Sequence, residues 1–232
     1  MFGDLMAQPL MPLALTLVVF VAAGFVSAWT KGHPFANPVL ISVCVIILLL
    51  SLTRTPYDRY FAGAQFIHFL LGPATVALAV PLFRHLHRVR ASAVPILVGI
   101  AAGSASGPLF VLLIAWMAGG QEPPAASLVT KSVTAPVSMA IAPQIGGVPS
   151  LAAIFSVLTG MVGAAFGPAL LNRLGIDDHM HRGLAMGTAS HGQGTARILQ
   201  ESEEAGAFSA LAMGLTALGM AVLLPGLARI IS

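Results

Sequence analysis

The sequence predicts an all-α, polytopic integral membrane protein, and three observations carry that prediction. Apolar residues make up 57% and charged residues 8% of the 232, with a mean hydropathy of +0.90, where soluble domains carry about 25% charge. The 11 basic and 8 acidic residues leave charge-free stretches at 5–30, 32–53, 60–83, 91–121, 132–172, 183–196 and 205–228, and a helix needs about 20 apolar residues to cross hydrocarbon. Several of these stretches are interrupted by Pro and Gly. Together these features predict seven to eight membrane segments, some Pro/Gly-broken or re-entrant, in a single membrane domain over 1–232 with short loops. The net charge of +3 and pI near 9.6 do not imply nucleic acid, because the basic residues sit at loop ends.

The first stretch is longer than a signal-peptide apolar region and lacks a basic start, Asp4 being its only charge, so it reads as a retained helix closing on Trp29 and Lys31. A tight connection containing His33, Pro34 and Pro38 leads into a short apolar helix from Val39 to Leu52, inside which the lone Cys44 has no partner for a disulfide. From Tyr57 to Phe83 the segment carries Gln65, His68, Gly72-Pro73 and Pro81, and predicts either one kinked helix or two half-helices. Arg84, Arg88 and Arg90 form the densest basic cluster, assigned to the cytoplasm. A long helix from Ala93 to Met117 bears Gly99, Gly103 and Gly107 on one face, suited to close helix contact. The charge-free run 132–172 is too long for one element, and Gly146-Gly147-Val148-Pro149 divides it into a short piece broken by Pro136 and a helix from Leu151 to Leu171.

Val80-Pro81 matches Ala142-Pro143, and Gly107-Pro108 matches Gly167-Pro168, which suggests a weak internal repeat, about 57–118 and 130–172. If both Pro-broken segments enter and leave on one side, Arg54, Arg59, Arg84, Arg88, Arg90, Arg173, Arg182 and Arg229 face the cytoplasm, against Lys31, Lys131 and Arg197. The two units would then be inverted, with a site where broken segments meet. After a polar turn containing Asp177 and Asp178 comes GTASHGQGTAR, Gly187 to Arg197, in a charge-free window too short and too polar for a plain span. Irregular backbone at membrane depth survives only when buried in protein or facing a cavity. Ala205 to Arg229 is a plain final helix.

The candidate site therefore lies between the 131–136 and 187–197 stretches. Broken-helix ends offer free N–H groups to an anion. Lys131 and Arg197 would draw it in, Ser132, Thr134, Thr188, Ser190 and Thr195 would add hydroxyl donors, and Gly187, Gly192 and Gly194 would let backbone approach it. Gln193 adds a further polar group, and His191, ionisable inside an apolar protein, is the central candidate, as a proton carrier or a neutral donor. Each has a structural reading beside it: Lys and Arg snorkel to headgroups, hydroxyls bond their own helix, and glycines pack. No catalytic motif and no metal cluster is evident, so no enzymatic activity and no cofactor is expected, while coupling to H+ or Na+ stays open.

Asn37-Pro38, LLGPATVALAVPLF at 70–83, KSVTAPVSMAIA at 131–142, GGVPSLAA at 146–153 and RGLAMGTASHGQGTAR at 182–197 together resemble the LrgB/CidB family over essentially the whole chain. Gln193 departs from it, standing where the family pattern has an apolar residue. The resemblance implies a multi-pass protein of the bacterial cytoplasmic (inner) membrane. It implies either a transporter subunit for small monocarboxylates such as glycolate, glycerate or pyruvate, or an antiholin-like regulator of murein hydrolase activity and lysis. Partners would be a small organic anion, the lipid bilayer and a small LrgA/CidA-type membrane protein, and homo-oligomerisation stays open. Because the residues themselves describe a site, the sequence favours transport, with regulation as the alternative.

Overall fold

The computed structural model describes residues 8, 10–30, 36–77, 79–120 and 123–231; the expected connection around Lys31, His33 and Pro34 lies outside them, as does the side chain of His68. The chain packs as two units, one up to Ala77 and one from Leu78 onward. Every described element is helical, and four helices are long and apolar enough to span a membrane.

The first unit holds α1 (Met11–Trp29), α2 (Pro38–Leu52) and α3 (Tyr57–Ala77). Pro12 stands in the first turn of α1, where a missing N–H costs nothing. Asn37 caps α2 by accepting from the N–H groups of Val39 (2.9 Å) and Leu40 (3.3 Å). The Thr16 and Tyr60 hydroxyls meet at 2.7 Å between α1 and α3. α3 continues through Gly72-Pro73 to Ala77, and Pro81 falls within α4 (Ala79–Arg84). The junction at residue 78, which decides between one kinked helix and two half-helices, lies outside the described residues.

The second unit continues with α5 (Leu86–Ala91), α6 (Ala93–Met117), α7 (Pro124–Val129) and α8 (Ala135–Ile141), then a 3-10 turn over Ala142–Ile145. α9 (Pro149–Arg173), α10 (His179–Leu199) and α11 (Glu203–Ile231) complete it. Pro136 starts α8 rather than breaking it, because a first-turn proline needs no N–H partner. Gly146 at φ 81° ends the 3-10 turn in a left-handed conformation that glycine adopts without cost.

α10 is a hairpin. His191 has φ 40° and ψ −128°, outside any helical region. Arg182 and Glu201 are 19 residues apart, about 28 Å along a straight helix, yet they pair at 2.8 Å. Met186 and Ile198 likewise share one cluster with Leu171 and Ala205. The arms 179–190 and 192–199 therefore run back alongside each other. This corrects the charge count, which set Arg197 and Arg182 on opposite sides: both bind Glu201, Arg197 at 3.1 Å. The 84–90 and 173–182 loops lie at one end, since Arg88 pairs with Asp178 at 3.3 Å and also with Glu204. Asp178 caps α10 through the His181 N–H. Partial burial pushes its carboxyl up, but the His181 N–H, the His181 ring and Arg88 outweigh this and hold it below its ordinary value.

α7 and α8 form another, shorter hairpin, the first of the two in chain order. Thr130 and Ser138 hydroxyls bridge its arms at 2.5 Å, and its base is tied where the Val148 N–H donates to Ser127 Oγ at 2.8 Å. The two hairpins enter from opposite ends of α9: one base lies by Val148, the other by Asn172, which accepts from Arg182 at 2.8 Å. α11 lies against both, Met220 clustering with Val133 and Ile141, Phe208 and Ala212 with Ile96 and Met180.

Candidate functional site

The two hairpin tips meet at Ser156, one-third of the way along α9. Ser156 Oγ donates to the Val133 carbonyl at the first tip. His191 Nε2 lies 3.0 Å from the Ser156 carbonyl and 3.4 Å from its hydroxyl. A carbonyl only accepts and the hydroxyl hydrogen is already used, so Nε2 carries a hydrogen and donates to the carbonyl. The ring fits because residue 160 is glycine: a Cβ there would lie 2.7 Å from His191 Cε1. Backbone strain at His191, of order 1–3 kcal/mol, is held by this seat and by its carbonyl, which accepts from Thr195 Oγ1 at 2.8 Å. Thr195 also bridges to Ser209 Oγ on α11 at 2.8 Å.

The predicted residues divide into two sets. Lys131, Ser132 and Thr188 line a cavity of about 500 Å³ that runs along α6 past Gly103 and Gly107. Thr188 rests its methyl on Gly103, and Ser132 Oγ lies against Gly107. Most of the others pack within the second hairpin or against its neighbours. Ser190 packs on Gly163, Gly187 on the Ser209 backbone, and Gly194 on the Met186 carbonyl. His191 is 5% exposed and bound to Ser156. Arg197 is paired with Glu201. Gln193 sends Nε2 to the Val157 carbonyl at 3.5 Å, while its Oε1 is buried with no partner among the described residues. Gly192 is loosely packed, and Thr134 sits at the start of α8.

Sequence reasoning missed Ser156, although a serine within an apolar helix is its one available signal. It also read Arg182 as a plain loop cation. Arg182 is instead buried, donating to Asn172 and Glu201 (2.8 Å each) and to the Ile176 carbonyl (2.9 Å), which closes the base of the second hairpin.

The LrgB-like family model matches residues 16–230, a span that takes in both hairpins. The chain belongs to the LrgB-like family. Its relatives include the holin-like protein CidB of Staphylococcus epidermidis, 30% identical over 94% of this chain and 95% of that one. Two Bacillus subtilis proteins named as uncharacterized are also similar: YxaC, 38% identical over 79% of this chain and 80% of its own, and YwbG, 34% identical over 88% and 92%. No solved structure matches this LrgB-like chain.

Proposed function

We propose that this LrgB-like membrane protein is an antiholin-like regulator of murein hydrolase activity and cell lysis. It would act in the bacterial cytoplasmic membrane beside a small LrgA/CidA-type holin-like partner. The observation that carries the reading is the alignment with holin-like CidB, which covers 94% of the chain. α1, α2, α3, α6, α9 and α11 as crossings, with two re-entrant hairpins, would make up the seven to eight membrane segments expected from the sequence. In cells lacking the chain, autolysis and murein hydrolase activity change, and the plasmid-borne chain restores them only when the small partner is present. Unchanged lysis together with no co-purifying small membrane protein would overturn the reading.

A second reading, transport of small monocarboxylates, is favoured by one observation: Lys131 and Ser132 face a cavity at the tip of a re-entrant hairpin. Uptake of labelled glycolate or pyruvate into proteoliposomes, with the small partner if needed, tests it. Absence of flux in both formats removes it.

A further inference from the structure

Lys131 is half-buried beside the cavity, and among the described residues its amine has one hydrogen-bonding neighbour, Ser132 Oγ at 3.5 Å. Among the described residues no carboxylate lies within ion-pair distance of it. A cation inside a membrane protein that faces a cavity without a counter-charge calls for an anion. One fixed positive charge matches one negative charge, since a dianion would leave a charge uncompensated.

The cavity is large for a two- or three-carbon acid: about 500 Å³ falls in the range that encloses drug-sized ligands. Ser106, Ser132 and Thr188 gather at the Lys131 end, the walls leading away from it include Ile96 and Leu184, and His181, beside Asp178, stands at the far end. From Gly107 back to Pro95 the α6 wall runs about 18 Å, long enough for a chain of several carbons.

We propose that this cavity binds an amphipathic monocarboxylate, its head on Lys131 and Ser132 and its apolar tail along Ile96 and Leu184. The proposal rests on the transport reading and deepens it by naming the class of acid. The head-group site is the Lys131 tip; His191 stands behind it, turned to Ser156.

The test uses the full chain in phosphatidylcholine nanodiscs, with binding of the straight-chain acids from acetate to octanoate followed by calorimetry. Affinity is expected to tighten about fourfold per added methylene over propanoate to hexanoate. Lys131→Met loses at least tenfold for every acid, Lys131→Arg stays within a few-fold, and Ser132→Ala weakens binding about threefold. If Lys131→Met fails to fold, Lys131→Arg and Ser132→Ala carry the comparison. Equal binding of the neutral hexanamide overturns the proposal, as does a series that weakens with length. Competition by phosphatidylglycerol in the disc would reassign the head site to a lipid headgroup and overturn it too. No binding of any acid overturns the proposal and leaves lysis regulation standing, whereas binding without flux keeps it and removes the transport reading.

Discussion

The two hairpins of the second unit solve one problem in two ways, and the contrast shows what each sequence is for. Both reverse the backbone among packed helices, so that buried polar groups must be satisfied within the protein. The first spreads the reversal over Thr130 to Thr134, between arms of six and seven residues, and ties itself with hydroxyls: Thr130 to Ser138, Ser127 to Val148, Ser156 to Val133. The second confines its reversal to His191, and among the described residues it alone has ion pairs at its base, Arg182 and Arg197 on Glu201. The open, hydroxyl-tied tip leaves Lys131 and Ser132 facing the cavity, while the tight tip buries His191 against Ser156.

The contrast breaks most severely at Gly187. A Cβ there would run into the Ser209 backbone carbonyl of α11, and neither helix can move without the other. Gly187→Ala is expected to cost about 3 kcal/mol and to remove most folded protein, read by size-exclusion profile and thermal midpoint. Gly192→Ala, whose nearest neighbour would be Met213 Sδ at 4.0 Å, is expected to leave both unchanged. Equal loss from the two substitutions would mean that the arms do not pack as described.

Arg182→Met comes next. Removing one partner of a buried ion pair costs about 3–5 kcal/mol, but Glu201 keeps Arg197 and is 25% exposed, so about 2 kcal/mol is expected. Hydrogen exchange should quicken in 179–199 and stay slow in 124–141. Uniform quickening would show that the two hairpins are not separately held.

Much of this was legible in residues. The charge-free windows locate the long helices: Ala93–Met117 was expected at its observed bounds, and Gly-Gly-Val-Pro divides the 132–172 run where α9 begins. The polar window 183–196 announced a break, since nothing so short and hydroxyl-rich crosses hydrocarbon as a plain helix. What it could not reveal is a full reversal, because one residue's φ and ψ decide between kink and hairpin, and the turn falls on a histidine at positive φ rather than on the glycines at 192 and 194. Arg182 was misread for a related reason: a cation after a polar turn looks solvated until the returning arm brings Glu201 beside it. Lys131 and Ser132 were legible as cavity residues by their place at a broken end, and Ser156 was not, because its partners come from two hairpins distant in sequence.

Ser156 offers the finest division of the two tips, since its hydroxyl serves the first and its carbonyl the second. Ser156→Ala strips the donor from Val133 O in a buried setting and leaves the bond from His191 in place, a loss of about 1–2 kcal/mol. Ser156→Thr retains a hydroxyl and should restore most of it. In a Cys44→Ala background, a cysteine placed by Ser132→Cys at the first tip should react faster with a small maleimide once Ser156→Ala is added. One placed by Thr188→Cys in the second hairpin should keep its rate. Faster reaction at both positions would mean that the tips move as one body through α9, and the hydroxyl-tied and strain-held turns would then be two halves of a single latch.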